Sequence, residues 1–187
     1  MKKTFLIVFL FIVAFLSSHS QTNNKLWGGL EIGYGLSLSD RGDLYNISYD
    51  SNNKMSMSAL RGIVGYYILP NLSLGGAIGL NSYIKPQLNT VPLSLDLRFH
   101  PLDDNLDLVL NGNLGYIIAT SESDEKGKLF ADLSVGYKIL NISKVAVIPA
   151  IGYNYIGYSV NYFDNNDIKT KYNQSRHSLF LKIGLVY

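Results

Sequence analysis

Residues 91–99 read Val91-Pro92-Leu93-Ser94-Leu95-Asp96-Leu97-Arg98-Phe99. From Leu93 onward every second residue is bulky and apolar, and the residues between are Ser94, Asp96 and Arg98. A period of two belongs to an extended strand with one apolar and one polar face. The stretch 129–139 repeats it, with Leu129, Ala131, Leu133, Val135, Tyr137 and Ile139 set against Phe130, Asp132, Ser134, Gly136 and Lys138. Working outward, the same alternation predicts eight strands at 26–38, 55–69, 72–84, 90–99, 106–119, 128–140, 145–158 and 176–187. Only the second is irregular. Met55 and Met57 fall in one parity and Leu60, Val64, Tyr66 and Ile68 in the other, which predicts a β-bulge near Ala59.

The connections alternate in length. Those at 69–71, 100–105 and 141–144 are short and turn-like, whereas 39–54, 120–127 and 159–175 are longer and polar; the one near 85–89 is shorter than these. Short turns at one end and longer loops at the other, with an even strand number, form the pattern of an all-β, eight-stranded, antiparallel, up-and-down transmembrane β-barrel with both termini on the periplasmic side.

Composition narrows the function classes. A chain of 187 residues that is 47% hydrophobic and only 16% charged is too apolar to be a disordered tail. Without cysteine it has no disulfide, no thiolate metal site and no cysteine nucleophile. A formal charge of +2 offers no basic excess for nucleic acid. At the N-terminus Lys2 and Lys3 precede an apolar run over residues 5–16 and then Ser17-Ser18-His19-Ser20, the layout of a secretory signal peptide cut after Ser20. The run is shorter than the roughly 20 residues of a spanning helix. The expected organisation is therefore a signal peptide over 1–20 and one barrel domain over 21–187.

The two strand faces indicate which medium each meets. Over 30–38, 60–68, 72–80, 91–99, 106–118, 129–139, 145–155 and 179–187 the apolar parity carries no charged residue and is interrupted only by Gly62, Gly76 and Gly112. The opposite parity is mostly small or polar, rich in glycine, with Ile117, Phe130, Ile148 and Phe180 as exceptions, and holds Glu31, Arg61, Asp96, Arg98, Asp107, Asp132, Lys138 and Lys182. A soluble barrel places bulk inside and charge in water. Here bulk facing lipid and glycine facing a narrow lumen satisfy both faces at once. Four acids and four bases inside a narrow lumen predict an internal ion-pair and hydrogen-bond network that plugs it, because an unpaired buried charge is costly. Tyr66, Phe99, Tyr137 and Tyr187 fall near the periplasmic strand ends and Tyr116, Tyr153 and Tyr155 near the outer ends, which predicts two aromatic girdles.

The leader, the segment 91–99 and the terminal Phe180-Leu181-Lys182-Ile183-Gly184-Leu185-Val186-Tyr187 together resemble the small outer-membrane β-barrel family of Gram-negative envelopes, with its OmpA-type, OmpX-type and OmpW-type branches. The resemblance spans the mature chain and implies a monomeric protein of the cell outer membrane, in contact with outer-membrane lipid and lipopolysaccharide. It also implies that the barrel-assembly machinery reads the last strand and its final aromatic, Tyr187. The family shares no catalytic residues and no cofactor.

Other signals carry less. His177-Ser178 are adjacent, so in a strand they point to opposite faces, which is wrong for a nucleophile and its base. Arg41-Gly42-Asp43 spells an adhesion tripeptide but reads as ordinary polar loop. The acidic residues in 120–127 and 159–167 match no calcium-loop spacing. The resulting expectation is a non-catalytic barrel that anchors surface loops, with a narrow conduit for small apolar solutes as the alternative. An ordered apolar pocket in the upper barrel would favour that conduit.

Overall fold

A computed structural model describes residues 25–42, 56–83, 88–101, 107–119, 126–142, 144–163 and 169–187. The segment 1–20, read above as a signal peptide, lies outside them. The described strands are β1 (Leu26–Gly42), β2 (Ser56–Leu69), β3 (Leu72–Tyr83), β4 (Leu88–Phe99), β5 (Leu108–Ala119), β6 (Lys126–Tyr137), the three-residue β7 (Leu140–Ile142), β8 (Val145–Phe163) and β9 (Lys169–Val186). Each long strand pairs antiparallel with its neighbour in sequence, β1 pairs with β9, and β6 pairs with β8. The eight long strands thus close an up-and-down barrel, and closure leaves no edge of unpaired backbone groups exposed to lipid. β7 forms a small hairpin with the start of β8. The start of β1 meets the C-terminal residue where Gly28 and Tyr187 exchange backbone hydrogen bonds of 3.1 and 2.8 Å. That end, which carries the short connections, is called here the turn end, and the opposite one the loop end.

The alternation of the sequence becomes the two surfaces of the wall. Ile32, Leu95 and Leu133 are 65%, 63% and 67% exposed on the outside, as are most other members of the apolar parity, while Glu31, Asp96, Arg98, Asp132 and Lys182 are buried inside. No charge interrupts the exterior belt between Ile32 and Leu38 or between Leu93 and Leu97.

Three expectations are corrected. No bulge occurs near Ala59: the register of β1 with β2 runs without a shift from Leu26↔Tyr66 to Leu36↔Ser56. Met57 simply faces inward with Ala59 and Arg61, because the upper lumen is apolar and accepts it; Met55 lies outside the described residues. The register shifts lie elsewhere, at Ser37/Ser39, at Tyr67/Leu69 near the end of β2, and at Gly127/Phe130. Next, much of the expected loop 159–175 is strand, since β8 and β9 stay paired out to Phe163↔Lys169. Tyr158, Val160 and Tyr162 favour extended chain, and each strand satisfies the other's backbone. β1 likewise continues to Gly42, so Arg41 and Gly42 of the adhesion-like tripeptide are strand residues paired with Ser175 and Gln174, while Asp43 lies outside the described residues. Finally, the sixth strand ends at Tyr137 rather than at 140, because the chain bends there: the Lys138 amide donates to the Asp107 carbonyl and the Ile139 amide to the Val147 carbonyl.

Candidate functional site: the barrel lumen

The inward residues stack in layers whose heights follow from register. Nearest the turn end, Trp27, Ile63 and Ala77 form an apolar floor with Tyr67 and Val186 against it. Trp27 is directly opposite Gly65. A Cβ at Gly65 would come within 2.4 Å of the indole carbons, so only glycine leaves the ring room to lie flat across the wall. The Arg98 guanidinium covers the ring at 4.3 Å from its centroid. We expect Gly65→Ala to destabilise the barrel by about 1–3 kcal/mol through overpacking. It should also shift the emission of the chain's only tryptophan. Urea unfolding in lipid vesicles, followed by that fluorescence, reads both, and an unchanged midpoint and spectrum would show that the ring is free to move.

Above the floor lies a compact charged layer. Glu31 on β1 faces three cations: Arg98 at 2.9 Å, Lys182 at 3.4 Å and Arg61 at 3.6 Å. Arg98 Nε donates to Asp96 Oδ1 at 2.9 Å, and Asn111 Nδ2 donates to the other Asp96 oxygen at 2.7 Å. Lys182 Nζ reaches Asp132 at 3.0 Å and donates to Asn111 Oδ1 at 2.8 Å. Arg61 lies 3.9 Å from Asp132. Asn113 Nδ2 and Ser134 Oγ also donate to Asn111 Oδ1, at 2.8 and 3.4 Å. Three carboxylates and three cations from five strands therefore form one neutral, cross-linked layer. A cavity bounded by Glu31, Arg98, Asn111, Ser134 and Lys182 on one side and by Val109 and Ile148 on the other is about 10 Å³, at the margin of holding a single water.

Toward the loop end the lumen becomes apolar again. Met57, Ala59, Tyr83, Ile117, Phe130, Ile156 and Phe180 are all buried in one cluster. Arg61 joins the two layers, its guanidinium carbon 5.1 Å from the Phe130 ring centroid and 6.0 Å from that of Phe180. Phe180 lies over Gly33, where a Cβ would fall 2.3 Å from the ring. Higher still, buried Arg176 is 5.7 Å from the Tyr83 ring.

Six of the eight charges singled out by parity meet in this layer. Asp107 and Lys138 do not: they form their own 2.7 Å pair, partly exposed, at the rim of the turn end, because β5 and β6 begin and end there. Trp27, Arg176 and the two asparagines were not singled out, although they share parity with Glu31, with Lys182 and with Asp107 respectively. The outward aromatics Tyr66, Phe99, Tyr137 and Tyr187 lie at the turn end, and Tyr116, Tyr153 and Tyr155 lie toward the loop end. His177 faces outward against Tyr153 and Tyr155, while Ser178 is buried inside.

No family model matches this chain, and neither does any curated protein. Among solved structures it is similar to the outer-membrane protein AlkL, determined by solid-state NMR in DMPC bilayers, with a TM-score of 0.52, 15% sequence identity, and coverage of 88% of this chain and 91% of that one. The chain has the fold of the small outer-membrane β-barrels. The outer-membrane protein OprG from Pseudomonas aeruginosa is similar as well, with a TM-score of 0.51, 13% identity, and coverage of 87% of this chain and 96% of that one. At such identities the likeness concerns architecture.

Proposed function

We propose that this protein is an exported, monomeric and non-catalytic outer-membrane barrel whose lumen is plugged by its own side chains, and which acts through what its rim and outer wall present. The observation that carries the reading is the charged layer around Glu31, closed above and below by packed apolar residues. A pore needs a continuous wet path, and here six charged side chains neutralise one another across the lumen instead of hydrating it. The apolar layer above, which a conduit for small apolar solutes would need as a pocket, is filled by Phe130, Phe180, Met57 and their neighbours.

In this reading the leader directs export and is cleaved after Ser20. The barrel-assembly machinery engages β9 and Tyr187, the turn end faces the periplasm, and the outward tyrosines together with Phe99 mark the two interfaces. Recording from the purified protein in planar bilayers tests the plug. We expect only rare, small openings. A steady, large conductance would overturn the plug while leaving the barrel intact.

A further inference from the structure

On the outer wall near the loop end, the strand register brings together a basic notch with no counterpart elsewhere in the apolar belt of described residues. Arg41 on β1 is directly opposite Ser175 on β9, and Ser175 is opposite Gly157 on β8. Gly157 in turn lies opposite the register shift in β6 that spans Lys128 and Leu129. The row therefore reads Arg41, Ser175, Gly157, Lys128 around the barrel, and its ends are roughly 14 Å apart at three strand spacings. Ser175 shares the parity of the lipid-facing Leu179 and Leu181, so the row lies outside the wall.

The shift matters because an extra residue re-aims a side chain. Regular alternation from inward Phe130 would turn Lys128 into the lumen. Instead its Cβ is the nearest atom to a Cβ built on outward Gly157, at 3.4 Å. From there the chain passes over β8, where glycine leaves the path open, and Nζ donates to Asn173 Oδ1 on β9. Lys128 thus brings its ammonium toward the same strand that pairs with Arg41. Between them the floor is Ser175 and Gly157, both small. Among the residues whose side chains are described, Asp40 not being one of them, no carboxylate forms an ion pair with Arg41 or Lys128.

The side facing the membrane centre completes the notch. His177 sits two residues along β9 from Ser175, hydrogen-bonded through Nδ1 to Tyr153 Oη, with the Tyr155 ring edge-on at 5.3 Å. Next come Leu36, Leu179, Ile151 and Leu181 on the apolar wall. Two cations with no carboxylate partner among the described side chains, set above an aromatic shelf continuous with hydrocarbon-facing wall, match an amphiphile with an anionic head and acyl tails. A soluble anion would gain nothing from the wall, and a zwitterionic head would bring its own cation against Arg41.

We propose that this notch binds the phosphate of an outer-leaflet phosphorylated glycolipid, with its acyl chains lying along the β1–β9–β8 wall. The inference rests on the membrane-spanning reading with the loop end outermost, and it adds a defined lipid site to that reading. Arg41 and Lys128 hold the phosphate by charge-assisted hydrogen bonds, and Tyr155 and His177 pack against the sugar.

The test uses the full mature chain folded into phosphatidylcholine vesicles containing lipid A, dephosphorylated lipid A, or neither with inorganic phosphate added. Insertion is read by protection of the barrel from protease, and retained lipid by native mass spectrometry after transfer to detergent. We expect wild type to retain lipid A in preference to its dephosphorylated form and to ignore inorganic phosphate. Arg41→Ser combined with Lys128→Ser should lower retention by about tenfold to thirtyfold, the share two cations supply at an anionic lipid surface. Gly157→Phe, which keeps both cations but fills the floor, should do the same. Lys25→Ser with Lys144→Ser, at the turn end, should leave retention unchanged. Equal retention by wild type and the notch variants, or no preference for the phosphate, overturns the site while insertion upholds the barrel. Failure to insert overturns both.

Discussion

Replacing Glu31 with glutamine should cost the barrel about 3–5 kcal/mol, the penalty for breaking a buried ion pair by removing one partner. Glu31 is the hub of the lumen, since Arg98, Lys182 and Arg61 all lie within 3.6 Å of its carboxylate. The neutral amide would leave three cations facing only Asp96 and Asp132, at a depth where water cannot readily screen them. Urea unfolding in vesicles, monitored through Trp27 beneath Arg98, measures the loss. Adding Lys182→Met to Glu31→Gln restores the balance of charge in the layer and should recover part of it, so that the double variant costs less than the sum of the two single ones in a double-mutant cycle. A loss below about 1 kcal/mol would mean that these pairs behave as solvated surface pairs, and the plug would lose its physical basis.

Leu95→Arg should cost about 2–4 kcal/mol in a bilayer, whereas Leu26→Arg should cost about 0–1, because the penalty for a lipid-facing cation falls from the midplane to the interface. Both residues are exposed, Leu95 at 63% and Leu26 at 39%. Leu95 sits mid-strand between Gly76 and Leu114, and Leu26 sits at the turn end opposite Tyr66. An exterior bathed in water would tolerate both substitutions to within about 0.5 kcal/mol. Vesicle unfolding midpoints for the two variants therefore report on the medium that the outer wall meets, and equal, small effects would exclude hydrocarbon.

The strand pattern was legible because alternation is a local property: a half-buried strand writes its two faces into every second residue. Leu93 to Phe99 already separates the lipid side from the lumen side. Parity also placed Glu31 and Lys182 on the inward face of the first and last strands, which closure of the barrel makes neighbours. It failed where contacts depend on distance across the barrel. Asp107 and Lys138 share the inward parity, yet height along the barrel separates them from the charged layer. Met57 suggested a bulge only because an apolar residue was assumed to face out, while the upper lumen is itself apolar. Lys128 shows the converse: simple alternation puts it inside, and the register shift before Phe130 turns it out.

The amino-acid sequence alone determined the fold class, the number of long strands and which face of each is apolar, because these follow from periodicity and from the backbone's need for hydrogen bonds in lipid. It also placed four acids and four bases on the inward face, to which Arg176, buried higher in the lumen, adds a further cation. Only the tertiary structure decided which charges meet, that apolar layers seal the network on both sides, and that Arg41 and Lys128 flank one notch. Each of these depends on register and shear between strands distant in sequence, and a displacement of two residues preserves every parity while changing every partner.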